Sequence, residues 1–145
     1  MSVYADTGFL VSLYVLDANS EKAASHMQQA KLPFLLTPFG ELELANAISL
    51  RQFRRDLTPS KVKAARALVQ KDLTDGVLLA KPMTMNNFEK AIRMVRGRTP
   101  QLGSRTLDVL HVASALELAA EMFYTFDYNQ ARLAKAEGLL VAPEI

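Results

Sequence analysis

Four carboxylate residues stand out in this chain because each lies beside apolar residues instead of on an evidently polar surface. Asp6 follows the short apolar run Ser-Val-Tyr-Ala, and Asp127 follows Met-Phe-Tyr-Thr-Phe. Glu43 and Asp108 each lie within an apolar helical pattern. Hard divalent cations such as Mg²⁺ and Mn²⁺ take oxygen ligands and use phosphate oxygens to complete their shell. The four carboxylates therefore suggest a metal site, in which the metal activates water and neutralises charge developing on a phosphate.

Asp108 is the most informative of the four, because its neighbours leave the predicted helix apolar nearly all round. An unpaired charge in such surroundings would be costly. The alternative is an acid in the first helical turn, where the helix dipole stabilises it by about 0.3–1 kcal/mol. His111 lies one turn later on the same face, and we interpret it as a packed or hydrogen-bonding histidine outside the site.

Asp6 and Asp127 could each simply cap the helix that follows, which is a common use of Asp. Capping alone does not explain why the same order, apolar strand then Asp then helix, occurs twice. In an open parallel sheet, ligands bind outside the carboxyl ends of the strands, where two such acids can converge. Their mutual repulsion would then require a cation or a raised pKa.

Glu43 competes with Glu41 for a place in this site, because residues two apart face different sides of a helix. Glu41 lies nearer the helix N-terminus, where a dipole role is adequate. Glu43 stacks over Asn46 and Ala47 toward Leu50. Spacing alone favours Glu43 only slightly.

The elements that must position these acids alternate along the chain. Five short apolar runs have the length of buried parallel strands, at residues 3–5, 34–37, 77–80, 122–126 and 139–142. Helical patterns fill the intervals, with caps predicted at Ser20, Thr37, Thr58 and Thr84. Residues 97–103, which include Pro100, are predicted to form a loop. Strands alternating with helices predict a three-layer α/β fold, with a central, mostly parallel β-sheet flanked by helices.

Composition limits the classes of protein that this chain can represent. Its 145 residues, half of them apolar, suit one core and one domain. The absence of cysteine excludes disulfides, thiolate zinc sites and cysteine nucleophiles, and two histidines are too few for a typical imidazole site. No signal-like N-terminus occurs, and no apolar run approaches the roughly 18 residues of a membrane span. We expect a soluble, cytoplasmic protein with no membrane partner.

The net charge of +2 conceals an uneven distribution. Residues 51–105 contain 13 Lys and Arg against 4 Asp and Glu, whereas the rest of the chain contains 4 against 11. A basic surface can grip a polyanion while an acidic surface holds cations near its backbone. Taken alone, solvated helix faces explain the distribution equally well. The candidate contacts to the backbone of such a polyanion are Arg51, Arg54, Arg93, Arg96 and Arg98.

Together these motifs resemble the PIN-domain ribonucleases, and among them the VapC-like toxins of toxin–antitoxin pairs. Tyr-Ala-Asp-Thr-Gly-Phe-Leu resembles the family's first-strand Asp followed by Ser or Thr, and Glu-Leu-Ala-Asn-Ala-Ile resembles its Glu-bearing helix, which favours Glu43. Leu-Asp-Val-Leu-His-Val-Ala-Ser-Ala-Leu is similar to its most recognisable segment, and Tyr-Thr-Phe-Asp to its closing Thr-x-Asp. Each motif alone is weak, but in this order they form a specific signal across almost the whole chain.

The resemblance implies a single PIN domain over residues 1–145 and an acidic pocket formed by Asp6, Glu43, Asp108 and Asp127. The pocket would bind Mg²⁺ or Mn²⁺ and cleave single-stranded or loop RNA to leave a 5′-phosphate and a 3′-hydroxyl. The three aspartates would hold metal, while Glu43 would share in the pocket and position or deprotonate the attacking water.

The resemblance also implies supporting residues and partners. Thr125, and secondly Thr7, would hold a ligand or a water by hydrogen bonding. The chain would form a homodimer and, as a toxin, would bind a VapB-like antitoxin.

Two other classes of function stay open as hypotheses. A catalytically silent PIN-like module would bind RNA or a protein without cleaving it, and the intact acids argue against this. A phosphohydrolase with an aspartyl nucleophile after its first strand favours a second Asp two residues on, where this chain has Gly8. Metal titration would identify the first alternative, and turnover of a small phosphate ester faster than RNA would support the second.

Overall fold

Five three-residue apolar strands pair side by side at the centre of the molecule, in a computed structural model that describes residues 2–144. All four pairings are parallel, and the strand order is β3-β2-β1-β4-β5. This sheet confirms the predicted α/β fold. The strands are β1 (Val3–Ala5), β2 (Phe34–Leu36), β3 (Leu78–Ala80), β4 (Met122–Tyr124) and β5 (Leu140–Ala142).

Helices connect the strands at the predicted places. Thr37, Thr58 and Thr84 each accept a hydrogen bond from a backbone N–H in the first turn of the helix that follows. Within residues 2–144, none of the helices is both long and apolar enough to cross a membrane. The helices are α1 (Thr7–Tyr14), α2 (Ser20–Gln29), α3 (Pro38–Phe53), α4 (Pro59–Thr74), α5 (Met85–Leu102), α6 (Thr106–Glu117) and α7 (Tyr128–Ala136).

The helices form one layer on each face of the sheet. Successive strand residues point to opposite faces, so Val3 and Ala5 of β1 enter a different core from Tyr4. The first core contains side chains of α1 to α4, and the second contains side chains of α5 to α7. The predicted three-layer arrangement follows from this alternation.

The predicted loop at residues 97–103 is wrong, because α5 continues through it to Leu102 with Pro100 in its last turn. A proline inside a helix removes a hydrogen bond and crowds the preceding turn, at a cost of about 3 kcal/mol. Two features compensate. Leu102 packs against the second core, and Gly103, in the left-handed conformation, donates its N–H to the carbonyl of Thr99 at 2.8 Å.

The predicted cap at Ser20 is also wrong. Ser20 is the first residue of α2, and the residue before it, Asn19, makes no side-chain capping bond. The Ser20 hydroxyl accepts the N–H of Asp17 at 2.8 Å and donates to the carbonyl of Val15 at 3.0 Å. The turn before the helix therefore uses this side chain, a common competition between Ser and nearby backbone groups.

The strand order reverses between β1 and β4, which places a crevice at their carboxyl ends. Asp6 follows β1 directly, and its N–H donates to the carbonyl of Tyr124, the last residue of β4, at 3.0 Å. The residues after these two strands are thereby held side by side.

Candidate active site

Asp6 is buried at the carboxyl end of β1, with 4% of its surface exposed. Its Oδ1 accepts the N–H of Phe9 at 2.8 Å and so caps α1, while Oδ2 accepts the hydroxyl of Thr125 at 2.5 Å. Burial raises the pKa of Asp6 to about 6 and the charge of Asp127 adds to the rise, although the hydrogen bonds from Thr125 and Phe9 oppose it. Ionised Asp6 is therefore stabilised by any cation that approaches it.

Thr125 links the two strand-end aspartates. Its buried hydroxyl donates to Asp6 and accepts the N–H of Asp127 at 2.9 Å. Asp127 in turn caps α7, because its Oδ1 accepts the N–H of Gln130 at 2.9 Å. The hydroxyl of Thr125 therefore holds the two acidic residues in position relative to each other. The contact of Thr125 with a ligand or a water, which the resemblance implies, stays a prediction.

Asp108 lies in the first turn of α6, half-buried and with its carboxylate facing the other acids. Burial raises its pKa, the charges of Asp127 and Glu43 raise it further, and Arg105 lowers it. Gln130 donates to the backbone carbonyl of Asp108 at 3.4 Å, and within residues 2–144 no hydrogen bond reaches the Asp108 carboxylate. Asp108 therefore lies where the dipole of α6 stabilises a negative charge, and it also lines the acidic cavity.

Glu43 lies in the middle of α3 and is held through one carboxylate oxygen. Oε1 accepts the hydroxyl of Thr7 at 2.7 Å and lies 2.5 Å from Nε2 of His111. Burial alone would raise the pKa of Glu43, but the hydrogen bonds from His111 and Thr7 bring it below its ordinary value. Glu43 therefore stays ionised at neutral pH. Glu41, its competitor, lines a separate depression between α3 and α4.

His111 is buried and hydrogen-bonded, as expected, but it lies in the wall of the acidic cavity instead of outside it. Its Nε2 contacts Glu43, and its Nδ1 lies 2.7 Å from the hydroxyl of Tyr4. A buried polar side chain on an apolar helix requires a partner, which is the signal that could have found this contact. Tyr4 gave no such signal, because it lies inside an apolar strand.

The four acids line one cavity of about 170 Å³. A larger cavity of about 450 Å³ shares Asp6, Thr7, Gly8 and Asp127 with it and extends toward Arg51. The site is thus an acidic hollow that opens onto a groove. The other residues that line the first cavity are Thr7, Gly8, His111 and Gln130.

The donor set fits a hydrated divalent cation better than a closed cage. Among residues 2–144, no three His, Asp or Glu side chains are arranged so that they could hold a metal ion without further ligands such as water or phosphate. Mg²⁺ commonly keeps several waters and binds through one or two carboxylates together with substrate phosphates. The pKa values of Asp6 and Asp108 are raised by burial and then by the charge of Asp127, and a cation would relieve that repulsion.

Of the five candidate arginines, the structure brings Arg51 to the acids. Arg51 lines the larger cavity beside Asp6 and Asp127, and its guanidinium lies 3.6 Å from the carboxylate of Asp17. Arg54 is the exposed residue that ends α3. Arg105, which was not among the candidates, lies close enough to Asp108 to lower its pKa.

The arginines of α5 lie apart from the acidic cavity. Arg98 donates to the carboxylate of Glu137 at 2.8 Å and to the carbonyl of Ala136 at 2.9 Å, so it already joins α5 to α7. Arg93 lines a depression beside that ion pair, and Arg96 lines an apolar groove between α5 and α6. Their predicted contact with RNA stays a prediction.

Comparison with known proteins identifies relatives of the whole fold. The model of the PIN domain family matches residues 3–136. VapC20 of Mycobacterium tuberculosis, a sarcin–ricin loop cleaving toxin, is 17% identical with a TM-score of 0.71, and the match covers 96% of this chain and 97% of VapC20. FitAcB of Neisseria gonorrhoeae is 15% identical with a TM-score of 0.68, covering 96% of this chain and 95% of the other. No curated protein sequence matches significantly.

Proposed function

The chain belongs to the PIN domain family, and from that premise we propose that it is a metal-dependent endoribonuclease, the toxin of a type II toxin–antitoxin pair. Family membership confirms the resemblance found in the sequence motifs. The activity, the metal and the partners go beyond that membership and are argued from the acidic cavity.

The convergence of four carboxylates on one cavity is the observation that carries this proposal. They come from the β1–α1 junction, α3, α6 and the β4–α7 junction, and all four line the same hollow. Two of them, Asp6 and Asp108, have pKa values raised by burial and by a neighbouring carboxylate. Such crowding weakens a fold unless a cation shares the charges, so it is better explained by a binding role than by packing.

The divalent cation would be held by Asp6, Asp108 and Asp127, with Glu43 beside them. When bound, Mg²⁺ or Mn²⁺ would supply an electrophile for phosphate oxygens and lower the pKa of a nearby water. Thr125 holds Asp6 and Asp127 in position relative to each other, since its hydroxyl contacts both residues.

Glu43 is the acid best suited to orient the attacking water. Its lowered pKa keeps it ionised, and a carboxylate is an acceptor for a water hydrogen. A general base works best with a pKa near the working pH. The lowered pKa of Glu43 therefore suits it better to orient the water than to accept a proton from it. The water oxygen would bond to phosphorus while the bond to the 3′ oxygen breaks. That oxygen takes up a proton, which leaves a 3′-hydroxyl and a 5′-phosphate.

RNA is the substrate class that the comparisons support, because VapC20 is a sarcin–ricin loop cleaving toxin. Arg51, at the mouth of the acidic groove, is positioned to contact a phosphate next to the cleaved one. A homodimer and a VapB-like antitoxin, which could offer a cationic side chain to the acidic cavity, belong to the same proposal.

Asp108→Asn tests the proposal with the smallest structural change, because this carboxylate is half-buried and caps no helix. We expect RNA cleavage with Mg²⁺ or Mn²⁺ to fall by at least about 100-fold, since losing a metal ligand removes several kcal/mol of transition-state stabilisation. EDTA should abolish cleavage by the unmodified chain. Asp75→Asn, at an exposed carboxylate that ends α4, is the matched control and should cleave normally.

Undiminished cleavage by Asp108→Asn would overturn the four-acid site. Tight RNA binding without cleavage at any enzyme or metal concentration would instead support a catalytically silent module. The toxin assignment has its own test: induced expression of the unmodified chain should arrest growth, whereas expression of Asp108→Asn should not. Arrest by both would separate toxicity from the acidic site.

A further inference from the structure

We propose that Tyr4 and His111 are positioning residues, which hold Glu43 in one orientation through a buried line of hydrogen bonds that starts in the central strand. This inference rests on the proposed function, because it assigns what keeps Glu43 aimed at the site. It concerns residues that lie behind the acidic cavity, and neither of them needs to touch RNA.

The line of contacts is continuous and buried at its base. Tyr4 is fully buried in β1, and its ring stacks on Phe123 of β4 with centroids 5.6 Å apart. Its hydroxyl lies 2.7 Å from Nδ1 of His111, and Nε2 of the same imidazole lies 2.5 Å from Oε1 of Glu43. The imidazole is also packed against Phe39 of α3, with centroids 5.1 Å apart. These contacts leave the ring little freedom to rotate.

The chemistry of the groups gives the line a direction. An ionised carboxylate only accepts hydrogen bonds, so Nε2 of His111 must carry the hydrogen that faces Glu43. When the ring carries only this hydrogen, Nδ1 is an acceptor, and the Tyr4 hydroxyl donates to it. This line of hydrogen bonds from Tyr4 through His111 to Glu43, called the relay below, therefore selects one tautomer of His111.

The consequence for the site lies in which oxygen of Glu43 is used. Both the Thr7 hydroxyl and His111 Nε2 reach Oε1. Within the described part of the chain, no hydrogen bond reaches Oε2. A carboxylate anchored through one oxygen presents the other in a fixed direction, which is how supporting hydrogen bonds commonly orient the groups of an active site. Oε2 is thus the atom left to meet a water.

Tyr4→Phe removes only the first hydroxyl of the line and keeps the ring stacked. Tyr14→Phe is its matched control, because it also removes a tyrosine hydroxyl that donates to a side chain, in this case Asp72 at 2.6 Å. Tyr14 lies in the opposite helix layer, so the two variants lose similar hydrogen bonds in different places. A general loss of stability would affect both.

The direct readout is ¹⁵N NMR of the imidazole nitrogens in the metal-free protein at neutral pH. The chain has two histidines, so His26→Gln assigns the spectrum. We expect His111 to be protonated at Nε2, with the Nδ1 resonance shifted by its hydrogen bond. Tyr4→Phe should move Nδ1 toward the position of a free imidazole nitrogen, and Tyr14→Phe should not. A hydrogen on Nδ1 of the unmodified chain, or an unmoved resonance in Tyr4→Phe, would overturn the relay.

The functional readout separates positioning from stability. Tyr4→Phe should lower kcat by roughly 10-fold, the lower end of the range for outer-shell partners of active-site ligands, and leave KM for RNA unchanged. His111→Gln keeps a donor and an acceptor on one side chain and should retain most activity, whereas His111→Leu should lose as much as Tyr4→Phe or more. Tyr14→Phe should cleave like the unmodified chain.

The two proposals fail in different ways. If the unmodified chain cleaves RNA and Tyr4→Phe has the same kcat, the proposed relay is wrong and the proposed nuclease function is unaffected. If His111→Gln loses as much activity as His111→Leu, the hydrogen-bond roles assigned to His111 are wrong. If the unmodified chain does not cleave RNA, the proposed function fails, and the NMR spectra alone decide whether the relay exists.

Discussion

The acidic and the basic residues of this chain were both noticed as groups in the sequence, but folding treats the two groups differently. The four acids are spread from residue 6 to residue 127 and meet at one cavity. The five arginines all lie between residues 51 and 98, yet Arg51, Arg93, Arg96 and Arg98 are divided among three different depressions. Closeness in sequence was therefore a poor guide to closeness in space.

The reason is the way in which each group is placed. Asp6 and Asp127 follow adjacent parallel strands, so the topology of the sheet brings them together. The arginines lie on helices that pack against different neighbours, and side chains on helix surfaces point in several directions. An excess of charge in one stretch of sequence predicts only that part of the surface will be charged. The end of a strand in a parallel sheet predicts where in the fold a side chain will lie.

The contrast between the converging acids and the scattered arginines would fail most clearly if one of the acids proved dispensable for cleavage. Asp6→Asn should reduce cleavage by at least about 100-fold, because it removes a buried ligand charge worth several kcal/mol in the transition state. Asn can still accept the capping bond from Phe9, so α1 should remain formed. Cleavage with Mn²⁺ measures the loss, and circular dichroism checks the fold. Unchanged cleavage would show that convergence at strand ends does not mark the site.

The stability of the metal-free protein gives a second test of the acidic region. The pKa of Asp6 is about 6 in the fold and 3.8 in its ordinary state, so the folded protein binds this proton more tightly. Its contribution to stability is present below about pH 4 and is lost as the pH rises to about 6. At about 1.4 kcal/mol for each pKa unit, the loss is at most about 3 kcal/mol.

Denaturant titrations in EDTA at pH 4 and pH 7 measure this loss as a difference between the unmodified chain and Asp6→Asn. The unmodified chain should lose relative stability as the pH rises, and Mg²⁺ at pH 7 should restore part of it. Asp75→Asn serves as the control and should behave like the unmodified chain. Parallel pH profiles for all three proteins would mean that Asp6 carries no buried charge.

The basic residues can be compared directly with one another. Arg51→Gln should weaken RNA binding by several-fold and reduce the salt slope by about one counterion, because a phosphate contact of this kind releases one condensed ion. Arg98→Gln should leave affinity and slope nearly unchanged, since Arg98 lies apart from the acidic cavity and is hydrogen-bonded to Glu137 at 2.8 Å, whereas Arg51 lines the groove beside the acids. Affinities measured at two salt concentrations decide the matter. Equal effects of the two substitutions would show that the whole basic stretch forms one RNA-binding surface.

The smallest effect is expected in α5. Pro100→Ala supplies an N–H to the last turn of this helix and should raise the free energy of unfolding by up to about 1 kcal/mol, without changing cleavage. Thermal unfolding measures the gain. A fall in stability would mean that the bend imposed by proline is needed for α5 to pack, and a change in cleavage would connect α5 to the acidic cavity.

Much of the fold was predictable because its signals are local. Apolar runs at all five strands and Thr caps at three helices were read within one or two residues of their final bounds. The wrong predictions also came from local signals, which packing or hydrogen bonding to other parts of the chain outweighed. Pro100 predicts a break, but Leu102 and the Gly103 cap keep the helix intact. Ser20 predicts a cap, but its hydroxyl bonds to the preceding turn.

The four acids of the candidate cavity and the two threonines that contact them were named from the sequence, whereas the contacts of His111 and Tyr4 were not. Acids at strand ends and on apolar helices are conspicuous because charge is costly there. Tyr4 resembles any core aromatic, and the partner of His111 lies 68 residues away along the chain. Contacts of this kind depend on the rotamers and separations of three elements, which no spacing within one segment encodes.

The sequence by itself determined the alternation of strands and helices and the acids that could form a site, because periodicity, caps and charge in apolar surroundings are local properties. The family was indicated separately, by the resemblance of four motifs that bear these acids. Only the tertiary structure decided that Thr125 joins two of the acids, that Glu43 is anchored through one oxygen by His111 and Thr7, and that Arg51 shares their groove. Each of these depends on the distance between elements, which is set when the two helix layers close on the sheet.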